Sequence, residues 1–406
     1  MTDVIVVGGG AAGMMAAGSA AALGKRVLLI EKNKMMGKKL YITGKGRCNV
    51  TNVADVQAMM KNITSDGRFL YSAFSKMDSA DTMRFFEEQG VPLKTERGGR
   101  VFPQSDKSAD IVEALKRYMR KNGVETVQAT VSQILEENGV VHGVRLQDGG
   151  EFYAGSVILA CGGLSYPSTG STGDGYRMAE ACGHTIMATR PALVPVVSQD
   201  AWVRSLQGLA LKNVALRVFC EGKKVFSDFG EMLFTHLGVS GPIVLSSSSH
   251  MKEMGVKPYV LRIDLKPALD EQTLEARILK DFQQNINRDF INALSGLLPV
   301  RMIPVVVELS GIPPRTKVNT ITREQRAGLC HLLKNLEFRA AALGGYEEAV
   351  VTAGGISTKE INPSTMESKK VKGLFFAGEM MDVDAYTGGF NLQIAFSTGY
   401  LAGISS

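Results

Sequence analysis

Residues 3–31, DVIVVGGGAAGMMAAGSAAALGKRVLLIE, leave this chain few folds to choose from. The apolar run at 3–7 reads as a buried strand, the Ala-rich stretch at 11–23 as a helix, and RVLLIE at 26–31 as a second strand. Together they form a βαβ unit with Gly8, Gly10 and Gly13 in G-x-G-x-x-G register at its first turn. Gly8 allows the tight turn, Gly10 lets a pyrophosphate approach the main chain, and Gly13 lets the helix pack closely on the strand. Free N–H groups at the helix start then attract phosphate oxygens, helped by the helix dipole. Glu31 ends the second strand, where it can accept from both hydroxyls of an adenosine ribose and would repel a 2′-phosphate, so FAD or NAD is expected over NADP. Residues 4–24 are uncharged over a membrane-spanning length, but Asp3 directly precedes them, no basic segment leads in, and Gly8 to Gly10 weaken a continuous helix; a water-soluble chain is expected.

The next stretch, KNKMMGKKLYITGKGRCNVTN at 32–52, alternates Gly37, Gly44 and Gly46 with basic and amide side chains. A nicotinamide-linked Rossmann domain would pass straight into its next helix here. A glycine- and amide-rich wrap suits a larger cofactor, although a solvated basic loop has the same composition. Cys48 reads as a packed or merely neighbouring thiol, since no partner cysteine is in sequence reach. At the other end, VKGLFFAGEMMDVDAYTGGFNLQIAFSTG (371–399) reads as a buried strand, a Gly-Glu turn and a helix from about Asn391. Glu379 can bond a polyol such as a ribityl chain, and Gly388 and Gly389 can admit a flat ring to the main chain. The helix N-terminus would face the N1 and C2 carbonyl side of an isoalloxazine, where negative charge gathers on reduction. The two ends of the chain are thus expected to build the two halves of one flavin site.

Between them, 55–122 reads as mainly helical, with Ser108 or Asp110 near the start of a helix whose residues Ile111, Val112, Leu115, Tyr118 and Met119 share an apolar face. Residues 126–160 read as a β-meander whose last strand, SVILACGG, rejoins the parent sheet. Gly162, Gly163, Gly170, Gly173 and Gly175 are expected to allow close main-chain approach near the cofactor. Residues 186–345 carry no dinucleotide pattern and read as an insert, β-rich at first and helical from about 270 to 344. Such an insert commonly lids a substrate cleft. Within it, His236 lies in GEMLFTHLGVSGP and is the candidate acid, while Trp202, Leu206, Phe234 and Tyr259 would give an apolar lid.

Composition narrows the partners. A net charge of +6 over 406 residues, with the basic residues scattered apart from Lys34, Lys38, Lys39, Lys45 and Arg47, lacks the basic stripe of a nucleic-acid binder. No nucleic-acid partner is therefore expected. Five cysteines without CxxC spacing indicate neither a disulfide framework nor a zinc site, and a reducing cytoplasm is the expected home. No histidine or cysteine cluster has metal-ligand spacing, so no metal is expected.

The motifs VVGGGAAG, GKKLYITGKGRCNVTN, GEMLFTHLGVSGP, TAGGIS, TMESK and GLFFAGEMMDVDAYTGGFNLQIAFSTG together resemble the bacterial FAD flavoprotein family that includes aminoacetone oxidase and 3-dehydro-bile acid Δ4,6-reductase. STGDGYRMA is also similar to a segment of the fumarate reductase group. The resemblance implies an α/β, FAD-binding Rossmann-type fold of the two-dinucleotide-binding-domain flavoproteins. The FAD domain would comprise 1–185 and 346–406, with an inserted β-rich subdomain at 186–269 and a helical one at 270–345. It places noncovalent FAD against Gly8, Gly10, Ala11, Ala12 and Gly13 in the first turn, and against Glu31 and Lys32. In the following loop it implies Lys38, Lys39, Thr43, Gly44, Gly46, Arg47, Cys48 and Asn49. Farther on come Val131 through its main chain to adenine, Ala160 and Gly162, then Gly378, Glu379 and Asp382, and Gly389, Phe390, Asn391 and Leu392. The family pattern has Gly where Ala385 stands and Tyr where Phe390 stands, so packing over the flavin differs here.

The expected activity is hydride transfer between flavin N5 and an organic substrate. The first expectation is reduction of a conjugated C=C in a hydrophobic enone such as a dehydrated steroid or bile acid. With no second G-x-G-x-x-G, NAD(P)H would bind only transiently as reductant. An oxygen-using amine oxidase of the aminoacetone type, and a flavoprotein that binds tRNA or a protein partner, are the alternatives. The family's members differ in substrate, so the resemblance fixes the cofactor better than the reaction.

Overall fold

In a computed structural model the described residues are 2–406, and the chain divides into two compact units, one comprising residues up to Ala192 together with Gly345–Ser406, the other Leu193–Gly344. The first unit is built on a five-stranded sheet. Strand β1 (Val4–Val7) is followed by helix α1 (Ala11–Ala22) and strand β2 (Val27–Glu31). Strand β1 lies at the centre, paired in parallel with β2 on one side and with Ser156–Leu159 on the other; Glu125–Gln128 and Leu374–Phe376 form the edges, also in parallel. A central parallel strand is covered on both faces, so Val4, Ile5 and Val6 are fully buried and the run needs no polar alternation.

The run expected to open the meander is divided. Glu125–Gln128 joins the parent sheet, and Ala129 donates its N–H to the Glu31 carbonyl at 3.0 Å; the antiparallel meander proper is Val131–Glu137, Val140–Leu146 and Glu151–Tyr153. Helix Ser108–Lys121 forms as expected, burying Ile111, Val112, Leu115 and Met119, while Tyr118 sits over Gly18 of α1. The mainly helical stretch also holds a small antiparallel sheet, in which Leu93–Glu96 folds back through a turn with Gly98 and Gly99 at positive φ onto Arg100–Pro103, whose other side pairs with Thr51–Asn52. The last helix, Phe390–Ser405, packs lengthwise on α1. Strand Ile186–Ala192 pairs antiparallel with Val351–Ile356 within this unit.

The second unit is a closed six-stranded barrel with helices. Its strands follow one another as Val196–Ser198, Gly238–Ser240, Lys223–Phe234, Ala210–Cys220, Tyr259–Asp264 and Leu336–Leu343. The last of these lies in the stretch read as helical. It closes the barrel, because Leu336 and Phe338 alternate with exposed Glu337 and Arg339 and the inward pair completes the core. Leu206, Phe234 and Tyr259 are buried in that core, and the Trp202 ring packs against Phe234 and Phe338. These apolar residues pack the barrel's interior; they are not an apolar surface, which corrects the expectation of a lid lining.

Candidate flavin site

The first turn separates the roles of its three glycines. A Cβ on Gly8, at φ +105°, would stand 2.6 Å from the Ala160 carbonyl oxygen, and one on Gly13 would overlap the Gly8 carbonyl; a Cβ on Gly10 would meet nothing within 4 Å. Gly8 and Gly13 are thus required by the protein's own packing, and Gly10 opens onto free space. Among the described residues α1 has no side-chain cap, so the N–H groups of its first turn, at Ala11, Ala12 and Gly13, lack intrahelical acceptors. A pyrophosphate is the complementary group. Glu31 Oε2 accepts from the Gly9 N–H at 2.6 Å, and Oε1 from the Asn33 N–H and Nδ2 at 2.7 Å each. The carboxylate therefore holds the turn, with lone pairs remaining for a ribose.

Part of the basic loop is engaged by residues outside it. Lys32 pairs with Asp174 and donates to Thr172 Oγ1 at 2.6 Å; Lys38 donates to the Ser168 carbonyl at 2.6 Å. Arg47 pairs with Glu96 and Asp106 and lies 4.2 Å over the Phe102 ring. Between Thr43 and Asn49 the backbone is left-handed at Gly44, Lys45, Gly46 and Cys48, a strain of roughly 1–2 kcal/mol at each of the two non-glycine positions. The Cys48 N–H closes this loop on the Thr43 carbonyl at 3.0 Å. Cys48 is fully buried and burial pushes its thiol up to about 12, so it packs and leaves only its main chain for a ligand. Asn49 Oδ1 is buried with no donor among the described residues, an acceptor suited to an N–H or hydroxyl of a bound group.

Glu379 sits where four segments cross. Its Oε2 accepts from Lys39 Nζ at 2.5 Å, and its Oε1 accepts from the Thr352 N–H at 2.9 Å and from Ser165 Oγ. A Cβ on Gly378, at φ +77°, would lie 2.9 Å from Ala12 Cβ, which sets the Gly-Glu turn against the first turn of α1. Gly389, at φ +100°, caps the last helix, again without a side-chain cap among the described residues. Asn52 Nδ2 bonds the carbonyls of Gly98 and Gly388 at 2.9 and 3.0 Å, tying the first half of the site to the second.

The remaining expected residues divide. Ala160 and Phe390 are buried, and Val131 opens its strand two residues beyond the Glu31–Ala129 bond. Asn391 clamps its own turn, accepting from the Ala385 N–H at 3.0 Å and donating to the Ala385 carbonyl at 2.7 Å; Ala385 fits there fully buried. Leu392 is half-buried, and Asp382 donates its N–H to the Ile356 carbonyl at 2.9 Å. Gly162 is at φ +72° with Ser171 Oγ 3.2 Å from where its Cβ would be. The close approaches at Gly163, Gly170 and Gly175 are made by protein side chains, namely Thr352 with Glu379, Asn33, and Met380 with Cys161. Ser165, Thr352, Asn33 and Asn52 were not singled out in the sequence; their one signal is to be polar residues in or beside glycine-rich motifs. Tyr176 was also missed. Its hydroxyl is buried without a partner, and burial first, then the Glu379 carboxylate, push its phenol up. His236 lies exposed in the turn between barrel strands of the second unit.

Two uncapped helix starts, an open second glycine, an orphan amide oxygen and a carboxylate-centred crossing fit FAD, and with the parallel sheet they define an FAD-dependent oxidoreductase. The HI0933-like protein Rossmann domain matches residues 2–405, and the chain belongs to that family. A 3-dehydro-bile acid delta(4,6)-reductase of Clostridium scindens is 32% identical over 93% of this chain and 92% of its own length. Ribosomal RNA dihydrouridine synthases of Haemophilus influenzae and Escherichia coli are each 32% identical, over 94% and 93% of this chain and 93% and 91% of their own. Among solved structures, a 3-ketosteroid delta1-dehydrogenase of Sterolibacterium denitrificans covers 99% of this chain and 98% of its own at 14% identity and a TM-score of 0.52. A flavocytochrome c3 fumarate reductase covers 100% and 78% at 18% identity and 0.50. Identities this low show the shared fold. Among the described residues no helix is long and apolar enough to cross a membrane, and no group of three or more His, Cys, Asp or Glu could hold a metal.

Proposed function

We propose that this chain adds a hydride and a proton across a C=C bond conjugated to a carbonyl, and that the acceptor is a uracil ring in RNA. The chemistry is common to the activities its relatives are named for: a Δ4 double bond beside a 3-oxo group and the C5=C6 bond of uridine beside its C4 carbonyl are the same functional group. FAD, when bound, supplies the hydride at N5. The chain's own part is to hold the pyrophosphate at the first turn of α1 and to fix Glu379 through Lys39, Ser165 and Thr352. It also sets the positive end of the last helix where negative charge gathers. Each turnover would consume one NAD(P)H and one proton per double bond reduced.

The acceptor rests on one observation. Of the 46 Lys and Arg and 40 Asp and Glu in the chain, 19 and 14 fall in Leu193–Gly344, so this unit carries five of the six net positive charges. That asymmetry, invisible in the whole-chain total, favours a polyanion and departs from the sequence-based expectation of no nucleic acid. The hydrophobic enone is the second reading, supported by the identity to the bile acid reductase but no longer by an apolar lid. Both readings are tested by reducing the yellow protein anaerobically with NADH and with NADPH, then following reoxidation by a uridine-containing ribosomal RNA fragment and by a 3-oxo-Δ4,6 steroid. Reoxidation by RNA, with dihydrouridine in the digest, is expected. Reoxidation by the steroid alone selects the second reading, and turnover only with aminoacetone and oxygen, releasing peroxide, overturns both.

A further inference from the structure

Five net positive charges on one unit need a place to act, and two arginines of its barrel are already engaged. Arg262 on the barrel wall is paired with Glu337 and laid over Phe219, and Arg217 is spent on the Lys334 carbonyl. The helical part is different. There two chain segments, 288–291 and 314–318, run side by side, close in space and held together by main-chain bonds. Phe290 N–H donates to the Thr316 carbonyl at 2.8 Å, Ile291 N–H to the Pro314 carbonyl at 3.1 Å, and Val318 N–H to the Arg288 carbonyl at 3.2 Å. Asp289 and Lys317 form an antiparallel bridge, reinforced by their ion pair at 2.8 Å and by Lys317 Nζ donating to the Asn287 carbonyl at 3.1 Å.

This pairing brings Arg288 and Arg315 onto neighbouring stretches of chain. Arg315 and Lys317 flank the half-buried Thr316, and both are exposed, as are Arg288, whose carbonyl accepts from the Val318 N–H, and Arg323 at the start of helix Arg323–Lys334. The one carboxylate within the pairing, Asp289, is taken by Lys317. Among the described residues Arg288, Arg315 and Arg323 form no ion pair within 4.0 Å, although, after hydrogen bonds from its own N–H and from Thr322, the Arg323 charge helps lower the neighbouring Glu324 carboxyl. Three exposed guanidinium groups without an ion pair stand on and just after this braced pair, whereas Lys32, Lys39 and Arg47 of the N-terminal loop are each paired with a carboxylate. Guanidinium groups match phosphate oxygens in geometry and charge, and a braced backbone loses little freedom on docking.

We propose that the paired segments 288–291 and 314–318, with the start of helix Arg323–Lys334, are a docking face for the phosphate backbone of RNA, with Arg288, Arg315 and Arg323 as the phosphate contacts. The inference rests on the uracil reading above and adds where the RNA is gripped. Phosphate contacts position a nucleic acid without reading its sequence, so this face sets affinity and salt dependence, while choice of the uridine belongs elsewhere.

The test uses the FAD-loaded protein and a ribosomal RNA fragment, with binding measured from low to moderate salt. The variant Arg288→Ala/Arg315→Ala/Arg323→Ala should weaken binding by at least about tenfold and flatten the plot of log K against log salt by roughly two to three units, while flavin content and flavin reduction by NAD(P)H stay as in the wild type. The corresponding triple Arg→Lys variant, which keeps the charges, should retain most of the slope. If the triple Ala variant binds RNA with unchanged affinity and slope while the wild type forms dihydrouridine, the docking face is wrong and the uracil reading stands. If the wild type neither binds RNA nor is reoxidised by it, the uracil reading falls and the docking face with it. Binding of the wild type to anionic phospholipid vesicles in place of RNA, lost in the same variant, would also overturn the proposal.

Discussion

Gly399 of the last helix rests directly on the main chain of Ala12 in the first: a Cβ at 399 would stand 3.0 Å from the Ala12 Cα and overlap its carbonyl oxygen. One turn later Gly403 meets Ala16 in the same way. Two helices that begin at opposite ends of the sequence can therefore lie against each other with their main chains nearly touching. Their uncapped starts serve one unit because nothing larger than hydrogen stands between them. Gly399→Ala should destabilise the protein by about 1–3 kcal/mol through overpacking and lower its FAD content. Gly328→Ala is the matched control. That glycine is inside helix Arg323–Lys334 with nothing within 4 Å of its would-be Cβ, and the exchange should stabilise by about 0.5–1 kcal/mol. Chemical denaturation of both variants gives the comparison; equal and opposite signs reversed, or no loss at 399, would contradict the close-packed interface.

Glu31→Ala removes three acceptor contacts at once, to Gly9 and to both nitrogens of Asn33. FAD affinity should fall by roughly tenfold to a hundredfold, the scale of losing charge-assisted hydrogen bonds of about 1.5–3 kcal/mol. The barrel unit, which has its own core, should unfold at an unchanged midpoint. A flavin titration indistinguishable from wild type would remove Glu31 from the site.

The βαβ unit was legible because its signals are local. Strands buried on both faces are unbroken apolar runs, and Gly8, Gly10 and Gly13 mark the turn between them within a few residues. The start of the last helix was read at Asn391 and lies at Phe390. The strand Leu336–Leu343 was not legible, since it follows a helix directly and its partners, Tyr259–Asp264 and Val196–Ser198, are far away in sequence. The same holds for the chemistry. Lys39 and Glu379 were each read separately as facing the cofactor; they pair with one another across 340 residues, and no spacing rule encodes that pair. Lys38 and Arg47 are likewise engaged by partners that only the fold brings near. The charge asymmetry between the units was present in the sequence, and the expected insert at 186–345 already carries it; the whole-chain total conceals it.

A pH dependence follows from the contact between His184 and Glu360. His184 is nearly fully buried, bonded through Nε2 to Ser368 Oγ at 2.8 Å and edge-on to Phe376, and burial holds it below its usual 6.5 despite the nearby carboxylate. The unfolded chain therefore binds this proton more readily, and the stability that neutral His184 contributes is complete above about pH 6.5 and lost as the pH falls through its lower folded value. For Glu360 burial acts upward, but Lys370 and the N–H and hydroxyl of Thr185 outweigh it and bring the carboxyl from 4.5 to about 2. Its contribution is complete above about 4.5 and lost as the pH falls toward 2. Urea midpoints should decline in two successive windows on acidification, and His184→Gln should abolish the first. A wild-type midpoint that is flat from pH 7 to 5 would exclude His184 as its source.

Addition of hydride to a conjugated C=C leaves charge on the carbonyl side that a proton must quench, so the reduction needs an acid that the flavin does not provide. His236 is the candidate carried by the sequence. If it delivers that proton, His236→Ala should slow acceptor reduction by at least about a hundredfold while leaving flavin reduction by NAD(P)H unchanged. Tyr176 is the competing donor that only the fold reveals, a buried phenol with a free hydroxyl under the influence of Glu379. Tyr176→Phe removes one oxygen and no packing, so a loss of acceptor reduction there, with normal turnover in His236→Ala, would move the acid from the histidine to the phenol. Because a buried hydroxyl with no partner costs stability, a merely structural Tyr176 predicts the reverse pattern: Phe at that position would leave turnover intact and the fold as stable or more so.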